Sequence, residues 1–526
     1  MPDFEVGAID LSIAVLYIVV VLGIGLWISR AQKDSEGFLL GGRSAIWPVV
    51  GLSLMSANLS GTSYVGLAGS GYSDGIAVWN YEWMATLVLV FFAIFILPFY
   101  LRSKVNTMPQ FLEHRYDSKA RSLFAGFSVF TSIFIDSAGA LFVGALTLQL
   151  LFPEYPLWML ISFIALAGGL YVIFGGLKAV MITDTLQGIL LLIVGSVIFT
   201  LVFIELGASW DAVNEAAPDG GMSVIKPADD EFMPWPGLFT GVIWLSFYYW
   251  TTNHVVVQKV LAAKSLDHGR WGALMAGSLQ VPFLFILILP GLMGRELFPD
   301  LEESDHIWPA LVFEFLPVGL RGLALAALIA ALMSTMDSVL NGSASIAVND
   351  FVKRRYKNLE EKRLLLISRV LVGVFMIIAA LWAPMIQFFD GIVEYFQAFL
   401  GYITMPVVVV FLGGLFWARP PRHAAFPTMA IGIPVGLVSF ALFEVLGLIE
   451  LQFLYGAGLM LLLSLGIFLS VTLTAEAPEL DEEVTFSRKT WQDESREMAQ
   501  KPWYQNTRYL GLAVVLATLA TVALFI

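Results

Sequence analysis

Three short stretches concentrate oxygen-bearing side chains inside otherwise apolar runs. In "SANLSGTSYVGLAGSGYSDG" (56–75), Ser56, Asn58, Ser60, Gly61, Thr62 and Ser63 crowd together. "WLSFYYWTTNHVVVQKV" (244–260) holds Ser246, Tyr249, Trp250 and two threonines, and "LMSTMDSVLNGSAS" (332–345) holds Ser334, Thr335, Asp337 and Ser338. Single acids stand at Glu82 in "NYEWM" and at Asp184 in "VMITDTLQG". Hydroxyls, amides and carbonyls suit a hard cation, which prefers oxygen ligands. They equally suit the hydroxyl groups of a polar solute. With no cysteine, thiolate metal sites, thiol catalysis and disulfides are excluded. The five histidines (114, 254, 268, 306 and 423) fall on different segments, so no catalytic or metal constellation forms.

These residues sit in an unusual medium. Of 526 residues, 58% are hydrophobic and 13% charged, with a mean hydropathy of +0.80. Soluble domains carry about 25% charged residues, so the chain reads as an integral membrane protein. Apolar runs of about 20 residues recur from end to end, each able to span about 30 Å of hydrocarbon. They are continuous and not alternating, which makes them helices. About fourteen such spans are expected: 9–29, 46–74, 79–101, 122–152, 157–175, 178–205, 236–258, 271–293, 309–349, 364–384, 387–417, 424–446, 450–473 and 507–526. The first lacks a basic leader and a small-residue cleavage site, and reads as a retained helix. The whole chain, 1–526, reads as one transmembrane domain.

The net charge of −13 argues against a nucleic-acid partner. No required protein partner is evident. Lys and Arg set orientation. If the N-terminus is outside, all but Lys226, Arg295 and Arg321 of the 29 basic residues fall in or beside cytosolic loops. Both termini are then expected outside a cell (cytoplasmic or inner) membrane. The loop 474–506 is polar, cytosolic and without a recognisable motif.

Polar residues at membrane depth are costly and mark pathways or sites by default. The cluster at 56–63 lies in the first helix of one set of five, and the cluster at 244–260 in the first helix of the next five. Interrupted helices at matching positions of two halves point to a transporter built from inverted repeats, here 46–205 and 236–417. The break then exposes carbonyls and helix ends to ions and solute. A membrane enzyme lacks its constellation here, a channel needs no broken repeat, and a sensor would need a signalling domain.

The residues also resemble the sodium/solute symporter family, and within it the sodium/glucose and bacterial sodium/galactose cotransporters. The resemblance is carried by "FLLGGRSAIWPVVGLSLMSANLSGTSYVGLAGSGYSDG", "YEWMA", "MPQFLEHRY", "GGLKAVMITDTLQ", "YYWTTNHVVVQKVLAAKS", "LPVGLRGLALAALIAALMSTMDSVLNGSASI" and "FLGGLFW", in family order up to about residue 420. It implies an all-α leucine-transporter-type fold: ten core helices in two inverted repeats, with one helix before (9–29) and three after (424–526). It also implies symport of Na+ with a neutral sugar. The implied sodium ligands are the carbonyls of Ser56, Leu59 and Ala331 and the hydroxyls of Ser334 and Thr335. The implied sugar site comprises Asn58, Ser63, Glu82, Ser246, Tyr249, Trp250, Gln280 and Gln397. Tyr249 would close it from the cytosolic side, and Leu67, Tyr81 and Val393 would form the outer lid.

This chain departs from the family pattern at several points. Ser63 replaces a glutamine or histidine, Ser246 and Ala85 replace larger or polar groups, and a family lysine falls at Gln280, or by a slip of two at Ser278. Glucose, galactose, another hexose and an inositol-like polyol all stay open. An anionic substrate, such as an amino acid or monocarboxylate, is disfavoured because every Lys and Arg reads as a loop or helix-end residue. At 100° per residue, Ser334, Asp337, Ser338, Asn341 and Ser345 share one helical face. In family members that couple two ions, the second site lies near the residues matching Asp184, Asp337 and Ser338, so a second sodium site is expected there.

Overall fold

A computed structural model describes residues 7–29, 41–105, 107–172, 177–356, 358–389, 391–479 and 482–526. Apart from the isolated bridges Ala45–Ala263 and Lys226–Pro234, the described secondary structure is helical. The helices are α1 (Ala8–Ser29), α2 (Trp47–Asn58), α3 (Gly61–Asp74), α4 (Ile76–Arg102), α5 (Ser118–Gln149), α6 (Leu157–Val172) and α7 (Leu177–Glu205). There follow α8 (235–252), α9 (His254–Leu261), α10 (Leu266–Gln280), α11 (Leu284–Leu297), α12 (Ile307–Phe315) and α13 (Leu320–Ala347). The last are α14 (Glu361–Trp382), α15 (Ile392–Phe416), α16 (Ala425–Val445), α17 (Phe453–Thr474), α18 (Arg488–Ala499) and α19 (Thr507–Val522).

Nine described helices are long and apolar enough to cross a membrane, or ten if α10 and α11, bent by 40° at their break, count as one span. The expected fourteen are not reproduced as continuous helices. The span 46–74 is divided at Leu59–Ser60 into α2 and α3, of 12 and 14 residues. The span 236–258 is divided at Asn253, whose backbone is extended (φ −61, ψ 121). The run 309–349 also splits into α12 and α13. Pro317 there has no N–H to continue a helix, and Gly319 adopts a φ of 92° that favours glycine. The 474–506 loop contains α18.

Two buried caps hold this framework. Asp10 of α1 accepts from the backbone N–H of Gly319 at 2.6 Å and Gly322 at 3.0 Å, satisfying donors that a helix start leaves open. Arg115 donates to the carbonyls of Gly414 (2.7 Å), Trp417 (3.1 Å) and Pro420 (3.3 Å), where the negative end of α15 favours a cation. On α14, Leu366, Val370, Ile377 and Leu381 leave 57–75% of their surfaces uncovered along one face. An apolar stripe facing outward is what a hydrocarbon surrounding requires.

The site is set by close packing in the interior. α2 lies against α7, α9 and α10, while α3 lies against α11, α13 and α15. Small residues permit these approaches. A Cβ added to Gly61 would come within 2.5 Å of Leu332 on α13, and one on Gly291 within 2.0 Å of the Ala68 carbonyl oxygen. The break between α2 and α3 is thereby pressed against the middle of α13.

Candidate functional site

The helix break opens carbonyls that a continuous helix would consume. At the end of α2, the Met55 carbonyl accepts from Leu59 N at 2.8 Å and the Ala57 carbonyl from the Tyr249 hydroxyl at 3.2 Å. The Asn58 carbonyl accepts from the Ser63 hydroxyl. Among the described residues, no hydrogen bond is made to the carbonyls of Ser56 and Leu59, two of the three carbonyls expected to hold sodium. Ser60 caps α3 by accepting from Ser63 N, so the second half-helix starts inside the protein.

A cavity of about 170 Å³ forms around this break. Of the expected residues, Ser56, Asn58, Ser63, Leu67, Tyr81, Glu82, Asp184, Ser246, Tyr249, Trp250, Ala331, Thr335, Ser338, Val393 and Gln397 line it. Leu59 and Gln280 do not, although both are fully buried. The side chains of Ser334 and Asp337 lie outside the described residues; their backbones belong to α13.

Three polar side chains from distant helices meet at Asn58. The Asn58 amide donates to Glu82 Oε2 at 2.7 Å and to Gln280 Oε1 at 2.9 Å. Gln280 thus acts through Asn58, and its own amide nitrogen has no partner among the described residues. Ser278 is exposed and donates to the Met275 carbonyl at 2.8 Å, so of the two sequence alternatives it is Gln280 that reaches Asn58. The Tyr249 ring stands edge-on to Trp250, with centroids 5.1 Å apart. Both belong to a π-helical turn, Tyr248–Thr252, just before the break at Asn253. Such turns reorient side chains and recur at functional sites.

Near α13, the Thr335 hydroxyl donates to the Ala331 carbonyl at 2.9 Å, and both line the cavity with Ser56. The donor set is all oxygen, which fits a hard monovalent cation.

One expectation needs correction. Lys259, read from sequence as a loop-end residue, is buried and lines the cavity. Its ammonium donates to Asp184 Oδ2 at 2.7 Å and to the Ser53 carbonyl at 3.2 Å, and Ser53 also donates to Asp184 Oδ2 at 3.2 Å. Arg270 is buried as well, paired with Glu494 of α18. Basic residues are therefore not confined to loops. A cation at Asp184 has to contend with Lys259, while the Ser338 hydroxyl and Gln187 Oε1 nearby have no partners among the described residues.

Sequence reasoning missed Asp136, Gln187, Asn253, Lys259 and Phe396, all lining the cavity. Asp136 gave the same signal as Glu82, an acid within an apolar run ("SIFIDSAG"). Lys259 gave none, because its depth depends on how α9 packs.

Residues 38–432 match the model of the sodium:solute symporter family. The chain is 31% identical to the sodium/glucose cotransporter 4 of Danio rerio, over 95% of this chain and 84% of that protein. It is 34% identical to the human sodium/myo-inositol cotransporter 2, over 82% and 70% respectively. In fold it is similar to a substrate-bound, outward-open Na+-coupled sialic acid symporter, with a TM-score of 0.76 at 22% identity, covering 90% of this chain and 100% of that one. It is also similar to the closed, ligand-bound Mhp1 of the nucleobase-cation-symport-1 family, with a TM-score of 0.52 at 16% identity, covering 86% and 98%. The architecture is the leucine-transporter-type fold. By this evidence of sequence and fold, the chain is a sodium-coupled solute symporter and belongs to the sodium:solute symporter family.

Proposed function

We propose that this symporter uses an inward sodium gradient to take up a neutral sugar or polyol across the cytoplasmic membrane by alternating access. The observation that carries this reading is that Asn58 and Glu82, with Gln280 behind Asn58, line the same cavity as the Tyr249 ring. Amide and carboxylate groups match adjacent hydroxyls, and an aromatic face matches the C–H surface of a sugar ring. Ser63, Ser246, Trp250 and Gln397 would complete the pocket. Tyr249 would close it toward the cytosol, and Leu67, Tyr81 and Val393 would close it outward. Repeats 46–205 and 236–417 would rock about this point, with both termini outside.

Sodium would bind at the Ser56, Leu59 and Ala331 carbonyls with the Ser334 and Thr335 hydroxyls. About 100 mV (about 2.3 kcal/mol per charge) and a tenfold gradient (about 1.4 kcal/mol) give one ion about 3.7 kcal/mol, limiting accumulation to about 500-fold. A second ion at Asp184, Asp337 and Ser338 would square that limit, but only by displacing or sharing with Lys259.

Relatives named for glucose and for myo-inositol make an inositol-like polyol the second reading. Proteoliposomes holding the full chain should accumulate labelled glucose, galactose or myo-inositol under a sodium gradient and not under potassium alone. Accumulation driven only by protons overturns the sodium reading, and failure of all three solutes overturns the sugar reading.

A further inference from the structure

The acidic and basic side chains of the cavity do not balance. Glu82, Asp136, Asp184 and Lys259 line it. Lys259 is matched by Asp184 at 2.7 Å, and Glu82 accepts from Asn58. Asp136 has no hydrogen-bond or ion-pair partner among the described residues. It projects from a π-helical turn, Ser132–Ser137, that packs against α13. Tyr249 lines the same cavity as Asp136 and Glu82.

A carboxyl group that lines a cavity in a membrane interior without a protein partner is costly and calls for an explanation. We propose that Asp136 recognises the substrate directly, taking a hydrogen-bond donor (a hydroxyl or an ammonium) and repelling a carboxylate. This rests on the sugar reading above and sharpens its substrate class. The pocket then accepts polyhydroxylated solutes that are neutral or carry an amine, and rejects acidic ones. An ammonium at the right position gains more than a hydroxyl, because charge-assisted bonds are the stronger kind.

The test uses the purified full-length protein in sodium, with glucose, glucosamine and glucuronate as probes. The parent should bind glucosamine at least as tightly as glucose, and glucuronate at least about tenfold more weakly. Asp136→Asn should weaken glucose about fivefold or more and shrink the glucosamine-to-glucuronate preference about tenfold. Sodium dependence should stay within about twofold, and Asp136→Glu should restore part of the discrimination. Glucuronate binding as tightly as glucosamine in the parent overturns the proposal whether or not the variants fold. An unchanged preference in Asp136→Asn, or a shift in sodium dependence alone, also overturns it while leaving the sugar reading intact. A parent that binds none of the three probes but takes up galactose or myo-inositol overturns this inference alone, and one that fails with those solutes as well defeats the sugar reading with it.

Discussion

The Lys259 ammonium lies 2.7 Å from Asp184 Oδ2, with both side chains almost wholly buried. The pair joins α9, just past one helix break, to α7, and through Ser53 to α2, just before the other. Attraction inside a low-dielectric interior offsets desolvation only while both partners are present. The pair therefore links the two interrupted helices electrostatically.

Removing one partner leaves a buried charge uncompensated. Lys259→Ala should destabilise the protein by about 3–5 kcal/mol, and the double variant Lys259→Gln with Asp184→Asn should recover much of the loss. Thermal unfolding in detergent, followed by tryptophan fluorescence, reads both. A Lys259→Ala protein as stable as the parent would show that the pair is not maintained. The same variants probe ion count. The sodium Hill coefficient for uptake should be near one in the parent, because Lys259 already neutralises Asp184, and should rise in Lys259→Gln if Asp184, Asp337 and Ser338 hold a second ion.

At the proposed sodium site, Thr335→Ala removes a hydroxyl ligand and leaves the backbone intact. Losing such a group costs about 1–3 kcal/mol, so half-maximal uptake should need about 5- to 150-fold more sodium. Sodium titration of uptake at fixed solute measures it, and an unchanged curve places the ion elsewhere.

Glu82→Ala strips Asn58 of its acceptor and the pocket of a carboxylate. Solute affinity should fall about 5- to 150-fold, and Gln397→Ala should act similarly. Tyr249→Ala should differ: it removes both the ring and the bond to the Ala57 carbonyl, so transport should suffer at least as much as binding. Equilibrium binding compared with initial uptake rates separates the two effects.

Gly291 tests the packing of α3 on α11. Because a Cβ there would meet the Ala68 carbonyl oxygen at 2.0 Å, the obstacle is backbone and cannot swing away. Gly291→Ala should cost about 1–3 kcal/mol or more, seen as a lower unfolding temperature. Gly373→Ala, at a position with nothing within 4 Å, should be harmless.

The sequence by itself determined the membrane class, the two helix breaks and much of the cavity. Each of these is a local matter: a continuous run of twenty apolar residues forms a helix in lipid, and polar residues crowded with glycine inside such a run point to an interruption or a site. Glu82 and Asp184 were legible for the same reason. What the tertiary structure alone decided is which groups meet. Lys259 sits 75 positions from Asp184, and its burial follows from α9 packing against α2, which no periodicity encodes. Gln280 rather than Ser278 reaches Asn58 because the two lie on different faces of α10. Asp136 lines the cavity from a π-helical turn, and the run 309–349 breaks at Pro317 and Gly319, next to the Asp10 cap on Gly319 and Gly322. Pairing depends on how distant helices approach, and that is settled only when the whole interior closes.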